Sequence, residues 1–290
     1  MGSPRTLFSY AREQASAQQL LLYKQIVLKH KRLLPFGVWV RLRQINCCKP
    51  YSAGPIMDSA ESPKELAIDQ KKKGYRYSIE PFLLVDFIRL FPGQSVLDIG
   101  TGCGIIPLLM VHREPTLKVT AIEIQESISQ QAQKNIQQNK MGSQISFIHG
   151  DFLKEALEPE SLDHIVSNPP YQKVQTGRIN PDPEKAIARH ELSINMNSLL
   201  DKSAPLLKQG GQITLAYPPE RLGETLRELE NRGLYPSVAR FVYGNFQAPA
   251  KIFLVSALKG KKSDFSVAPP LTIYNKTGTY TKEAESLLQQ

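Results

Sequence analysis

The sequence predicts an α/β protein built on a doubly wound, seven-stranded, mostly parallel sheet whose last strand is antiparallel. Three observations carry this. Short apolar runs alternate with helix-period segments through five cycles, which implies a parallel sheet with helices on both faces. Two further apolar runs, SVARFVY and KIFLVSAL, are joined by a short loop, too short for a crossover, so that pair is antiparallel. No internal repeat or long linker interrupts residues 59–258. The expected organisation is a basic N-terminal extension over 1–58, one α/β domain over 59–262 and a C-terminal extension over 263–290.

Each element has a local reason. PFLLVDFIRLF (81–91) has helical apolar spacing, and Pro81 suits a first turn. SVLDIG (95–100) is a short buried strand, IIPLLMVHRE a helix and KVTAIEI (118–124) a second strand. ESISQQAQKNIQQNKM is a polar-faced helix stopped near Gly142. ISFIHGD (145–151) and LDHIVSN (162–168) are the third and fourth strands. MNSLLDKSAPLL is a helix expected to close at a Gly210–Gly211 turn, before the strand QITLAY (212–217). ERLGETLRELENRG is a helix ending at Gly233. The tail FSVAPPLTIYNKTGTYTKEA reads as a surface extension, part of it β.

Composition narrows the class. With 290 residues and 41% hydrophobic content, a sizeable core is expected. No apolar run reaches the roughly 18 residues of a membrane span. The cysteines are Cys47, Cys48 and Cys103. They are too few for a disulfide framework and lack zinc spacing, so a cytoplasmic setting without a metal is expected. The net charge of +9 is concentrated in residues 1–56, where nine Lys/Arg face the single acid Glu13. The remainder is nearly neutral. Three readings of the basic arm stand open: a nucleic-acid-binding extension, a targeting peptide, or upstream sequence before a true start at Met57.

The chemistry begins at the first turn. Ligands of such sheets sit at the carboxyl ends of the strands. There the first strand runs into DIGTGCG, with Asp98, Gly100, Thr101, Gly102 and Gly104. A nicotinamide cofactor would want G-x-G-x-x-G, but position 105 is Ile. Asp98 would also repel a pyrophosphate. It suits a ligand carrying ammonium and sulfonium groups, as S-adenosylmethionine does. Glu123, followed by Ile124, ends the second strand, where a carboxylate can accept from ribose hydroxyls. Asp151 and Phe152 follow the third strand, where an adenine amino group can be met.

The ordered stretches VLDIGTGCG, AIEI, GDF and SNPPY resemble the motifs of class I S-adenosylmethionine-dependent methyltransferases over roughly residues 65–258. The resemblance implies their Rossmann-like fold and their methyl donor. The candidate catalytic residues are Asn168, Pro169, Pro170 and Tyr171, with Asn168 also counted beside the cofactor. Two prolines stiffen the backbone behind Asn168. An amino nitrogen conjugated to a ring is a poor nucleophile. The Asn168 side-chain oxygen and the Pro169 carbonyl can accept its two N–H bonds and hold it in line. Tyr171 can stack on the flat target, worth roughly 1–3 kcal/mol for a base. The signature resembles that of enzymes acting on adenine N6, cytosine N4, guanine N2 or glutamine amides.

The flanks point to one of these. GYRYSIEPFLLVDF (74–87) resembles the F-R-F-S-x-D segment of the bacterial tRNA1(Val) (adenine(37)-N6)-methyltransferase family. Tyr77 and Ser78 match its Phe and Ser, and Glu80 stands where Asp is usual. The resemblance places Tyr77 and Ser78 over the methionine part of the cofactor. GRINPDPEKAIARHE (177–191) resembles a loop of the same family and offers Arg178, Lys185, Arg189 and His190 as RNA contacts. The KGKK turn (259–262) is a further candidate for RNA attraction. The expectation is a monomer acting on tRNA, not on a membrane. A glutamine-N5 protein methyltransferase and an rRNA base N-methyltransferase remain as alternatives. A non-catalytic adenosine-ligand module is disfavoured by the intact SNPPY, and a dinucleotide oxidoreductase by Ile105.

Overall fold

The structure, a computed structural model, describes residues 66–69, 79–169 and 194–288. These lie in one unit, Pro63–Gln290. Helix α1 (Glu80–Phe87) carries Pro81 in its first turn. It stops short of the expected residue 91 because Ile88 is already extended. Pro92 disfavours helix at Phe91, and Gly93 (φ 74°) turns the chain into the sheet. Next come β1 (Ser95–Ile99), α2 (Ile105–Arg113), β2 (Lys118–Glu123) and α3 (Glu126–Gln138). Then follow β3 (Ile145–His149), β4 (Leu162–Ser167), α4 (Met196–Leu206) and β5 (Leu207–Tyr217). The remainder of the expected fold is α5 (Leu222–Glu230), β6 (Leu234–Tyr243) and β7 (Ala250–Lys259).

The Gly210–Gly211 pair differs from expectation. It does not close α4, because β5 already begins at Leu207 and the glycines sit inside it. The register with β4 jumps from Leu162↔Leu207 to His164↔Gln212, so the extra β5 residues bulge. Gly210 has φ 75°, and a side chain on Gly211 would meet the Lys208 carbonyl at 2.9 Å. Only glycines fit such a bulge.

The sheet order is β3-β2-β1-β4-β5-β7-β6, extended at its β6 edge by two short strands, β8 (Ser266–Val267) and β9 (Leu271–Thr272). That makes nine strands among the described residues where seven were expected. β7 runs antiparallel to both β5 and β6, and every other pairing of these strands is parallel. The chain builds outward from β1 to β3, then returns to the other side of β1 with β4. The crevice of such a fold lies at that reversal.

Side chains alternate between two cores, one on each face. Val96, Val166 and Ala216 join α1 and α2 on one face, while Leu97, Ile165, Leu215 and Phe253 join α4 and α5 on the other. The tail is more than a surface extension. It adds a final helix, α6 (Lys282–Leu288), and Leu271, Ile273, Ala284 and Leu287 are buried in the first core. Arg240 on β6 fastens it, bonding Asp86 of α1 at 3.1 Å, Glu283 of α6 and the Pro269 carbonyl at 3.1 Å.

Candidate active site

The register sets the geometry. Ile99 of β1 pairs with Ser167 of β4, and the Ser167 hydroxyl donates to the Ile99 carbonyl at 2.8 Å. The glycine turn and Asn168 therefore leave the sheet side by side, about 4.8 Å apart in the ladder direction. On the other side of β1, Ile99 pairs with Ile122 of β2, which brings Glu123 to the same rim.

The turn after β1 is held from beneath. Gly100 and Thr101 both donate their N–H to the Ile122 carbonyl at 3.0 Å. Gly100 (φ 73°) and Gly102 (φ 58°) adopt a left-handed backbone that other residues enter only with strain. A side chain on Gly100 would project into open space, so its conformation, and not crowding within the protein, calls for glycine. Behind the turn, buried Asn135 of α3 donates to the Cys103 carbonyl at 2.9 Å. Burial pushes the Cys103 thiol up to about 11, so it packs without reacting. Gly104 caps α2 in a left-handed conformation, beside Ala132.

Two acids line this turn. Asp98 is fully buried on β1, and neither carboxylate oxygen has a partner of good geometry among the described residues; nor does the Thr101 hydroxyl. Burial pushes the Asp98 carboxyl up to about 7, nearby Thr101 draws it back and Glu123 raises it. Glu123 is raised by burial too. Its two oxygens accept from Gly102 N–H and Gln125 N–H, each at 2.9 Å, and each oxygen keeps acceptor capacity. Ile124, next to it, is 40% exposed and offers an apolar surface at the rim. These features fit S-adenosylmethionine. A cationic group placed against Asp98 would relieve an otherwise costly buried carboxylate, and glycine backbone leaves room for close approach.

At the end of β3, Asp151 is partly committed to its own turn. Its Oδ1 accepts from Leu153 N–H at 3.0 Å, and its Oδ2 lies 3.3 Å from Lys154 Nζ. The Phe152 ring is turned into the second core, under Lys202. That leaves the main chain of Phe152, rather than its ring, for the rim.

Asn168 has an arrangement that sequence reading missed. Its Nδ2 donates to Glu80 Oε2 of α1 at 3.1 Å, while its Oδ1 is buried and without a partner among the described residues. Because an ionised carboxylate only accepts, this contact fixes which end of the amide is which. The acid at position 80 was itself a visible signal, but its partner lies 88 residues away. Pro169 follows Asn168 directly. Pro170, Tyr171, Tyr77, Ser78, Arg178, Lys185, Arg189 and His190 lie outside the described residues. The KGKK turn is at the far edge of the sheet. β7 is antiparallel, so Lys259 pairs with Leu234 at the start of β6, and its Nζ donates to the Leu207 carbonyl at 2.7 Å.

Comparison with known proteins agrees with this geometry. The family model described as methyltransferase small domain matches residues 81–223. The tRNA1(Val) (adenine(37)-N6)-methyltransferase of Christiangramia forsetii is 29% identical over 233 residues, covering 78% of this chain and 94% of the relative. The enzyme of the same name from Bacteroides fragilis is 31% identical over 196 residues, covering 67% of this chain and 81% of the relative. Among solved structures, a predicted O-methyltransferase from Agrobacterium tumefaciens shares the fold, with a TM-score of 0.57 and 17% identity over 72% of this chain and 95% of that one. With an acid-lined glycine turn beside Asn168 and relatives of this likeness, the chain is an S-adenosylmethionine-dependent N-methyltransferase and belongs to the tRNA1(Val) (adenine(37)-N6)-methyltransferase family.

Proposed function

We propose that this chain methylates the exocyclic N6 of adenine 37 in a valine tRNA. The observation that carries the reading is the Asn168 amide. Its Nδ2 is held by Glu80, and its buried Oδ1 has acceptor capacity to spare among the described residues. An amino group with two N–H bonds matches such an acceptor plus the neighbouring Pro169 carbonyl. Accepting both bonds holds the nitrogen in place and favours its lone pair leaving conjugation with the ring. No covalent intermediate with the protein is needed.

Asp98, Thr101, Glu123, Ile124 and the backbone from Gly100 to Gly104 would hold S-adenosylmethionine, with Asp151, Phe152, Tyr77 and Ser78 completing the pocket. When bound, that molecule supplies a methyl carbon activated by its sulfonium. Asp98 would face the cationic end, and Glu123 would accept from ribose hydroxyls. Tyr171 would stack on the adenine. Arg178, Lys185, Arg189 and His190 would meet phosphates of the anticodon loop. An unpaired loop base is cheaper to extrude into such a site than one in a duplex. Family membership supports tRNA as substrate; the cytoplasm as its setting and a monomer as its working form are part of the proposal. No helix among the described residues is long and apolar enough to cross a membrane.

The test is incubation with methyl-labelled S-adenosylmethionine, total tRNA and, separately, a translation release factor. N6-methyladenosine at position 37 of a valine tRNA is the expected product. Label confined to protein overturns the reading in favour of glutamine methylation. Label on another RNA base keeps the chemistry and overturns the position.

A further inference from the structure

The sheet carries a second feature at the same edge as Asn168. β6 is parallel to β1 and β4, so its carboxyl end, Tyr243, opens onto the same rim. Beyond it, the main chain of residues 273–274 is laid on that end. Ile273 and Tyr274 donate their N–H to the carbonyls of Tyr243 and Gly244, each at 2.9 Å. The following loop, Tyr274–Tyr280, folds back on itself through Asn275, whose Oδ1 accepts from Thr277 and Thr279 N–H. Buried Leu271 and Ile273 anchor its base.

Three aromatic rings gather there. Tyr274 and Tyr280 stack at 5.2 Å, and Lys276 lies over the Phe246 ring at 5.1 Å. Phe246 is 53% exposed, Tyr274 42% and Tyr280 43%. Segments 243–252 and 272–282 contain Lys251, Lys276 and Lys282 and no acid. The next acid along the chain, Glu283, is taken by Arg240. The hydrogen bonds and buried apolar residues already anchor this loop, so the exposed rings and lysines are not required to hold it. Exposed rings interleaved with cations suit a single-stranded nucleic acid, with ring faces for bases and ammonium groups for phosphates. From β4 to β6 is three inter-strand spacings, roughly 15 Å, so one RNA can reach both places. The KGKK turn, on the opposite edge, does not serve this rim.

We propose that Phe246, Tyr274, Tyr280, Lys251 and Lys276 form a docking platform for the unpaired RNA strand flanking the target adenine. The inference rests on the tRNA reading above. Its test compares the wild type with a Lys251→Glu/Lys276→Glu variant and a Tyr274→Ala/Tyr280→Ala variant. Wild-type transfer to tRNA is measured first, and its absence would overturn the tRNA reading and this platform together. With an active wild type, the lysine variant should raise the KM for tRNA at least tenfold at unchanged S-adenosylmethionine Kd, unfolding midpoint and kcat. Its log–log salt slope should fall by about 1.4, the loss of two single-strand phosphate contacts. The tyrosine variant should raise KM similarly, and Tyr274→Phe/Tyr280→Phe should restore it. Normal tRNA KM and salt slope in a folded lysine variant would overturn the platform alone.

Discussion

Replacing Asp98 by Asn should stabilise the ligand-free protein at alkaline pH while abolishing tight binding of S-adenosylmethionine. The magnitude follows from the buried carboxyl, which titrates at about 7 where an ordinary aspartate titrates at 3.8. The folded state holds that proton more tightly than the unfolded chain does. Relative stability is therefore greatest at low pH and falls as pH rises from about 4 through 7. At about 1.4 kcal/mol per pH unit, the buried charge costs roughly 4 kcal/mol at pH 8 and roughly 2 kcal/mol at pH 5. Asp98→Asn removes a difference of about 2–3 kcal/mol between those two pH values. Urea unfolding of both proteins at pH 5 and pH 8 measures it, and comparing variant with wild type at each pH cancels every other titrating group. Ligand binding should show the complementary trend. Wild-type affinity for S-adenosylmethionine should rise close to tenfold per unit as pH climbs toward 7, because the cationic ligand favours the ionised carboxylate. In Asp98→Asn this pH dependence should vanish and the affinity should be weaker throughout. A variant whose stability changes with pH as the wild type's does would refute the reasoning.

Glu80→Gln should lower kcat about ten- to a hundredfold, the range of a charge-assisted hydrogen bond, with unchanged Kd for S-adenosylmethionine. A glutamine can bond either end of the Asn168 amide and no longer fixes its sense. Single-turnover transfer and calorimetry separate the two quantities, and a matching loss of cofactor affinity would count against this positioning role. His164 is buried between β4 and β5, bonded to Thr214 at 2.8 Å, and burial alone pushes it down to about 4. Its stabilising effect is present above about pH 6.5 and is lost as pH falls toward 4, up to roughly 3 kcal/mol. His164→Gln should flatten that acid limb in urea titrations at pH 4.5 and 7. Arg240→Leu removes at once its bonds to Asp86, Glu283 and the Pro269 carbonyl and should cost about 3 kcal/mol, measured by urea unfolding, with the tail from residue 264 becoming the first site of proteolysis.

The strands and the acids at their ends were legible because each is locally encoded. A run such as SVLDIG has an apolar stretch, a period and a glycine stop within a few residues. Where the physics depends on a remote neighbour, the sequence is silent. Gly-Gly reads as a turn whether it ends a helix or bulges from a strand, and only the Leu162 and Lys208 carbonyls crowding Gly211 decide. Strands of two residues, like Ser266–Val267, fall below any detectable period. The place of KGKK follows from strand direction: an antiparallel last strand puts its carboxyl end opposite the ligand rim.

Asn168 shows the division most sharply. That an amide, two prolines and a tyrosine stand together can be read from SNPPY, and with it the class of nitrogen they can meet. Which end of the amide is left to accept cannot be read there, because oxygen and nitrogen ends are nearly alike in size and differ only in what they bond. The choice is made by Glu80, on a helix that precedes the sheet altogether. An aspartate would do the same only if its shorter stem were met by a closer helix. Variation at position 80 should therefore be coupled to the packing of α1 on the sheet, through Leu83 and Leu84, and not to the residues of SNPPY. A Glu80→Asp variant that kept full kcat without any shift of α1 would break that argument.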